Sequence, residues 1–180
     1  MIGRRLLCVA PLLALTHPVR AQQQKRIVIP LQWYGVKVED NAFTVEMPGV
    51  PDHRILNDRS ARGTPFALHS YSLDVGGYSY VAQTALYPAD VDTAQPRRLL
   101  QTALDDRAQP LVGRKWARTD WREIGGASAV DSIGLLPRDN GLRQLVLLKE
   151  HRFVSLAFMG SAGGMTGVEA NRFFGSLKLA

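Results

Sequence analysis

The sequence predicts an α+β fold, an antiparallel sheet of about six or seven strands with helices packed on both faces as an α/β/α sandwich. Three observations carry this expectation. Strand-like runs follow one another with turn signals between them. Two of those runs, Leu145-Val146-Leu147-Leu148 and Leu156-Ala157-Phe158-Met159, are apolar throughout, the pattern of strands buried on both faces. Two other segments place apolar residues at helical spacing, which supplies the cover.

The chain opens with a segment that does not read as part of this fold. Arg4 and Arg5 precede the short apolar run Leu6–Leu15, and Val19-Arg20-Ala21 ends it with small residues fit for a signal peptidase. The run is about half the length that a membrane-spanning helix requires. Residues 1–21 therefore read as a signal peptide cleaved near Ala21, and the mature protein is expected to be periplasmic or secreted, without a transmembrane span. Arg4-Arg5-Leu6-Leu7 leaves twin-arginine export open beside the general route. Cys8 follows Leu7, which is too large for the small residue expected before a lipid-anchored cysteine.

Residues 22–40 are expected to hold a loose N-terminal segment and a first strand, and 41–180 a single α+β domain. Phe43–Met47 alternates large apolar residues with Thr and Glu, the period of a half-buried strand, and Pro48-Gly49-Val50-Pro51 stops it. Runs over Pro65–Asp74 and Tyr78–Tyr87 flank Gly76-Gly77, which admits the positive angles of a tight hairpin turn. A helix is expected from Thr93 to Arg107, with Asp90 and Asp92 near its start and Pro96 in its first turn. Leu99, Leu100, Ala103 and Leu104 form its stripe, and Pro110 and Gly113 end it.

Strands are then expected over Arg114–Ile124, Ser128–Leu136, Leu142–Lys149 and Arg152–Met159, with Arg138-Asp139-Asn140-Gly141 and Glu150-His151 as turns. Thr166-Gly167-Val168-Glu169 has the form of a capping box opening a last helix. Ala170, Phe173, Phe174 and Leu177 make its apolar stripe, with Glu169 and Arg172 as an exposed pair. The loop Gly160-Ser161-Ala162-Gly163-Gly164 reads as a flexible connector, because it lacks the spacing of a phosphate-binding loop or a nucleophile elbow.

Composition removes several chemistries. Cys8 is the only cysteine, so the chain after Ala21 has no disulfide, thiol nucleophile or cysteine–metal cluster. The net charge of +6 falls to +3 once the leader's three arginines are set aside, too little to point to nucleic acid. His53, in a Pro/Asp loop, His69, on a hairpin strand, and His151, in a turn, share no metal-ligand spacing. No catalytic, cofactor-binding or metal-binding residue is assigned, and no enzyme is expected.

The surface that stands out is the run Arg114 to Arg122. Alternation along a strand places Arg114, Trp116, Arg118 and Arg122 on one face. Guanidinium groups beside an indole suit a protein partner or an anionic envelope component, and Trp and Arg are common in binding hot spots. The same pattern also describes a solvated strand whose indole is covered by arginine stems. Tyr71, Tyr78, Tyr80 and Tyr87 on the hairpin read as cross-strand packing.

The opening Phe43-Thr44-Val45-Glu46-Met47-Pro48-Gly49, the hairpin ending in Tyr87-Pro88, the following helix and strands, and the ending Arg172-Phe173-Phe174-Gly175-Ser176-Leu177-Lys178-Leu179 occur in a recognisable order. Over about Phe43 to Leu179 the chain resembles bacterial exported proteins with a PsbP-like fold, that of an extrinsic photosystem II subunit. The resemblance implies a non-enzymatic accessory or binding role at a membrane or envelope complex. It carries over no catalytic motif, and a carrier of a small apolar ligand and an envelope hydrolase remain as alternatives.

Overall fold

The computed structural model describes residues 31–112 and 116–180, so the expected signal peptide over residues 1–21 and Arg114 lie outside the described residues. Residues 31–180 form one compact unit. Seven strands make one antiparallel sheet in the order β3-β4-β5-β9-β8-β7-β6. They are β3 (Asp52–Arg59), β4 (Pro65–Val75), β5 (Tyr78–Leu86), β6 (Arg118–Ile124), β7 (Ala127–Leu136), β8 (Asn140–Lys149) and β9 (Arg152–Ser161). A second sheet of three strands has the order β1-β2-β10, from β1 (Tyr34–Lys37), β2 (Phe43–Met47) and β10 (Lys178–Leu179). Two helices, α1 (Pro96–Val112) and α2 (Val168–Gly175), complete the described elements.

The strand that alternation predicts at Phe43–Met47 forms with those bounds, its Phe43, Val45 and Met47 buried. Gly76 and Gly77 close the β4–β5 hairpin with φ of +62° and +82°, values that a side chain disfavours. Arg138 and Asp139 take positive φ in the β7–β8 turn. Strand β3 is one element that sequence reasoning missed, because His53 was expected in a loop. All eight of its residues are exposed, so no face is covered and no apolar alternation betrays it. Its register with β4 runs from Asp52 opposite Ser72 to Arg59 opposite Pro65.

The buried side chains fall into two groups. Leu145 and Leu147 of β8 join Phe43, Met47, Tyr80, Leu156, Phe158, Phe173 and Phe174 in the larger one. Val146 and Leu148 join Leu100 and Leu104 of α1 and Val130 of β7 in the other. Successive residues of one strand thus serve opposite groups, as the period of two demands. The larger group is covered by the small sheet together with α2, so its cover is not helical alone.

Several local expectations are corrected. Helix α1 starts at Pro96 and runs through Pro110 to Val112, beyond the expected end. Proline in the last turn removes one ladder bond where the helix frays anyway. The capping box does not form. Thr166 ends a 3-10 turn (Ala162–Thr166), Gly167 caps α2 without a side-chain hydrogen bond, and Arg172 pairs with Glu46 at 2.8 Å rather than with Glu169. The glycine-rich segment is packed and not a loose connector. A Cβ at Gly160 would overlap the Tyr78 ring, and one at Gly164 would stand 2.9 Å from it. Tyr78 and Tyr80 keep the packing role, with ring centroids 5.0 and 5.1 Å from Phe158.

Candidate partner-binding surface

Strand β6 ends the large sheet, so one side of its backbone is not paired within that sheet. Its other side pairs with β7, placing Arg118 opposite Ile133, Asp120 opposite Asp131 and Arg122 opposite Ala129. Arg118 and Arg122 are therefore on one face, both exposed, with Arg118 Nε donating to Asp120 Oδ2 at 2.8 Å. Trp116 is not with them. It precedes the strand, packs against the Leu100 and Leu104 group of α1, and donates its indole N–H to the Leu104 carbonyl at 3.3 Å. Alternation counts only where the chain is already extended, and here the strand starts at Arg118. Of the four expected surface residues, two are brought together, one is turned to the other side, and Arg114 lies outside the described residues.

Arg122 opens onto a site that sequence reasoning did not find. Asp131 of β7 is 3 % exposed and holds Arg143 of β8 in a two-pronged pair, Nε to Oδ1 at 3.0 Å and Nη2 to Oδ2 at 2.7 Å. Asp131 lies opposite Leu145 and Arg143 opposite Ile133, a diagonal that a long side chain spans. Arg143 Nη1 also donates to the Met165 carbonyl at 3.3 Å and to Asn171 Oδ1 at 2.9 Å, and its guanidinium lies 4.5 Å from the centre of the Phe174 ring. One arginine thus ties β7, β8, the 3-10 turn and α2 together. Arg122 Nη2 approaches the same Asp131 oxygen at 3.5 Å, leaving most of its donors for another acceptor. The signal was a lone Asp and a lone Arg, each inside a mostly apolar strand.

Around these groups opens a cleft of about 390 Å³ lined by Arg122, Glu123, Ile124, Arg143, Asn171 and Phe174, among others. The charged lining residues are Arg122, Arg143 and Glu123, and the buried Asp131 offsets Arg143 from beneath, so the cleft is polar and mixed in sign. Its apolar wall of Ile124, Phe174 and Leu177 adjoins the edge strand β6.

The histidines also differ from expectation. His53 and His69 meet across β3 and β4, with Nε2 of the first 3.3 Å from Nδ1 of the second, and His69 Nδ1 stands 3.6 Å from Glu39 Oε2. His53 stacks on Tyr71 at 4.3 Å between ring centres. His151 Nε2 lies 3.5 Å from Thr93 Oγ1. No helix among the described residues is long and apolar enough to cross a membrane.

The architecture matches a known one. The solution structure of cyanobacterial PsbP from Synechocystis superposes with a TM-score of 0.52 at 10 % identity, covering 85 % of this chain and 95 % of that one. A Pseudomonas aeruginosa protein of unknown function matches at a TM-score of 0.40 and 16 % identity, over 74 % of this chain and 86 % of its own. No family model and no curated protein matches the sequence. The chain has a PsbP-like fold, and at such identities the likeness carries the fold alone.

Proposed function

We propose that this PsbP-like chain is a non-enzymatic accessory protein of the periplasm or cell exterior that binds a protein of a membrane or envelope complex along β6. The observation that carries the reading is the position of β6 as the last strand of the large sheet, beside the Arg122–Arg143 cleft. An extended segment can add to such an edge through main-chain hydrogen bonds, while a neighbouring pocket takes its side chains. The mixed charge of the cleft favours a protein segment over a polyanion, and Arg122 is placed to receive a carboxylate from it. We read the layering as α1 against one face of the large sheet and α2 with the small sheet against the other.

The filled interior weighs against a carrier of apolar ligands, because Phe43, Met47, Tyr80, Leu156, Phe158 and Phe173 occupy the space between sheet and helix.

Crosslinking of the tagged protein in its native envelope, with mass spectrometry of the products, tests the reading. A protein crosslink lost in Arg122→Gln and weakened in Arg118→Glu, at a melting temperature little changed, is the expected result. Crosslinks indifferent to both substitutions, or only to anionic glycan or lipid, would overturn it.

A further inference from the structure

The structure assigns Glu39, His53 and His69 to a binding site for one divalent transition metal ion, with zinc as the natural probe. This site does not depend on the arginine cleft. With no cysteine after residue 8, the donors available to the described residues are histidine and carboxylate. Two histidines and a glutamate form a set that zinc accepts with one position left open.

The geometry arises from register. His53 lies opposite Tyr71 in the β3–β4 ladder, so His69, two residues along β4, is its diagonal neighbour on the same face. The third donor comes from a separate element, the 3-10 turn Glu39–Asn41 that joins β1 to β2. One donor atom from each residue lies within 4.8 Å of the other two. Two ligand atoms on a tetrahedral zinc, each about 2.0–2.2 Å from the metal, stand about 3.3–3.6 Å apart. The separations of 3.3 Å between the imidazole nitrogens and 3.6 Å between His69 and Glu39 fall on that spacing.

The surroundings fit such an ion. The rings of His53 and His69 stand nearly parallel, 14° apart, with Tyr71 stacked on His53, so binding an ion requires His69 to turn about its broad final torsion and aim its lone pair at the point His53 faces. Glu39 and His69 also line an open cleft of about 300 Å³ with Phe66, Tyr87 and Arg152. A bound ion therefore keeps a coordination position for water or for a donor from outside. The alternative use of the same contact is a hydrogen bond between the two rings, which needs both histidines in the same tautomer and leaves no ion between them.

The test is titration of the full chain, carrying no polyhistidine tag, with zinc chloride in a calorimeter. One ion per chain is expected, with affinity lowered by at least tenfold to a hundredfold in His53→Ala and in His69→Ala, the range that loss of outer-shell support alone costs. Glu39→Gln should weaken binding as well, and His151→Ala should leave it unchanged. Histidine proton resonances of the wild type, recorded with and without zinc, keep the test valid should a variant misfold. Shifts at His53 and His69 but not His151 are expected. No saturable binding, equal affinity in the His53→Ala/His69→Ala double variant, or shifts confined to His17 or His151 would each overturn the assignment.

Discussion

Replacing Arg143 by Met should cost more than any surface change, because it leaves the Asp131 carboxylate buried without its main partner. Asp131 is 3 % exposed, and Arg143 supplies both of its short contacts. Arg122, at 3.5 Å and half in solvent, replaces little of that. At an effective dielectric of about 20, opposite unit charges some 4 Å apart attract by about 4 kcal/mol. That agrees with the roughly 3–5 kcal/mol found when one member of a buried ion pair is removed. Removing both charges is a different perturbation. Arg143→Met with Asp131→Leu leaves no orphaned ion and should bring stability back to within about 1 kcal/mol of the wild type, or above it. Urea unfolding followed by tryptophan fluorescence measures both. With a slope of about 2 kcal/mol per molar, the single variant should unfold roughly 2 M earlier at unchanged slope. A loss under about 1 kcal/mol, or a double variant worse than the single, would refute the claim that this pair is a dry, coupled unit.

Three further outcomes follow from the core. Tyr80 buries its hydroxyl without a hydrogen-bond partner among the described residues, so Tyr80→Phe should stabilise the fold by about 1 kcal/mol. Burial, then the Glu169 charge and Tyr78, push the Tyr80 phenol up from 10.0 to about 12. Its neutral form therefore stabilises the fold below pH 10, and that contribution is lost as pH rises from about 10 to about 12. Urea midpoints across that window should fall less steeply in Tyr80→Phe, with the remaining slope from Tyr71 and Tyr87, which burial also raises. Phe173→Ala should cost about 3–5 kcal/mol, since the ring is fully buried against Tyr80 and Phe174. An unchanged melting temperature would show that α2 does not close the core.

Much of the fold was legible because its signals are local. Alternation at Phe43–Met47, the Gly76-Gly77 hairpin, the apolar runs of β8 and β9 and the Phe173-Phe174 stripe each report burial through a few neighbouring residues. Strand β3 has no buried face, so nothing in its pattern distinguishes it from a loop until β4 pairs with it. Thr166 satisfied the capping pattern, yet the Gly160–Gly164 segment packs onto Tyr78 and folds into a 3-10 turn that takes Thr166 away from α2. A motif states which hydrogen bonds are possible, and packing chooses among them.

The sequence by itself determined the expectation of export, the absence of any cysteine after Cys8, the α+β class and most of the strands, because composition and periodicity are properties of single segments. Only the tertiary structure decided the sites. It turned Trp116 away from Arg118 and Arg122, joined Asp131 to Arg143 across a diagonal, and set Glu39, His53 and His69 within reach of one another. Each of these depends on register between strands, and a shift of one residue would send the side chains to the opposite face. Register is settled by the summed burial of the whole sheet, which no short stretch of sequence contains.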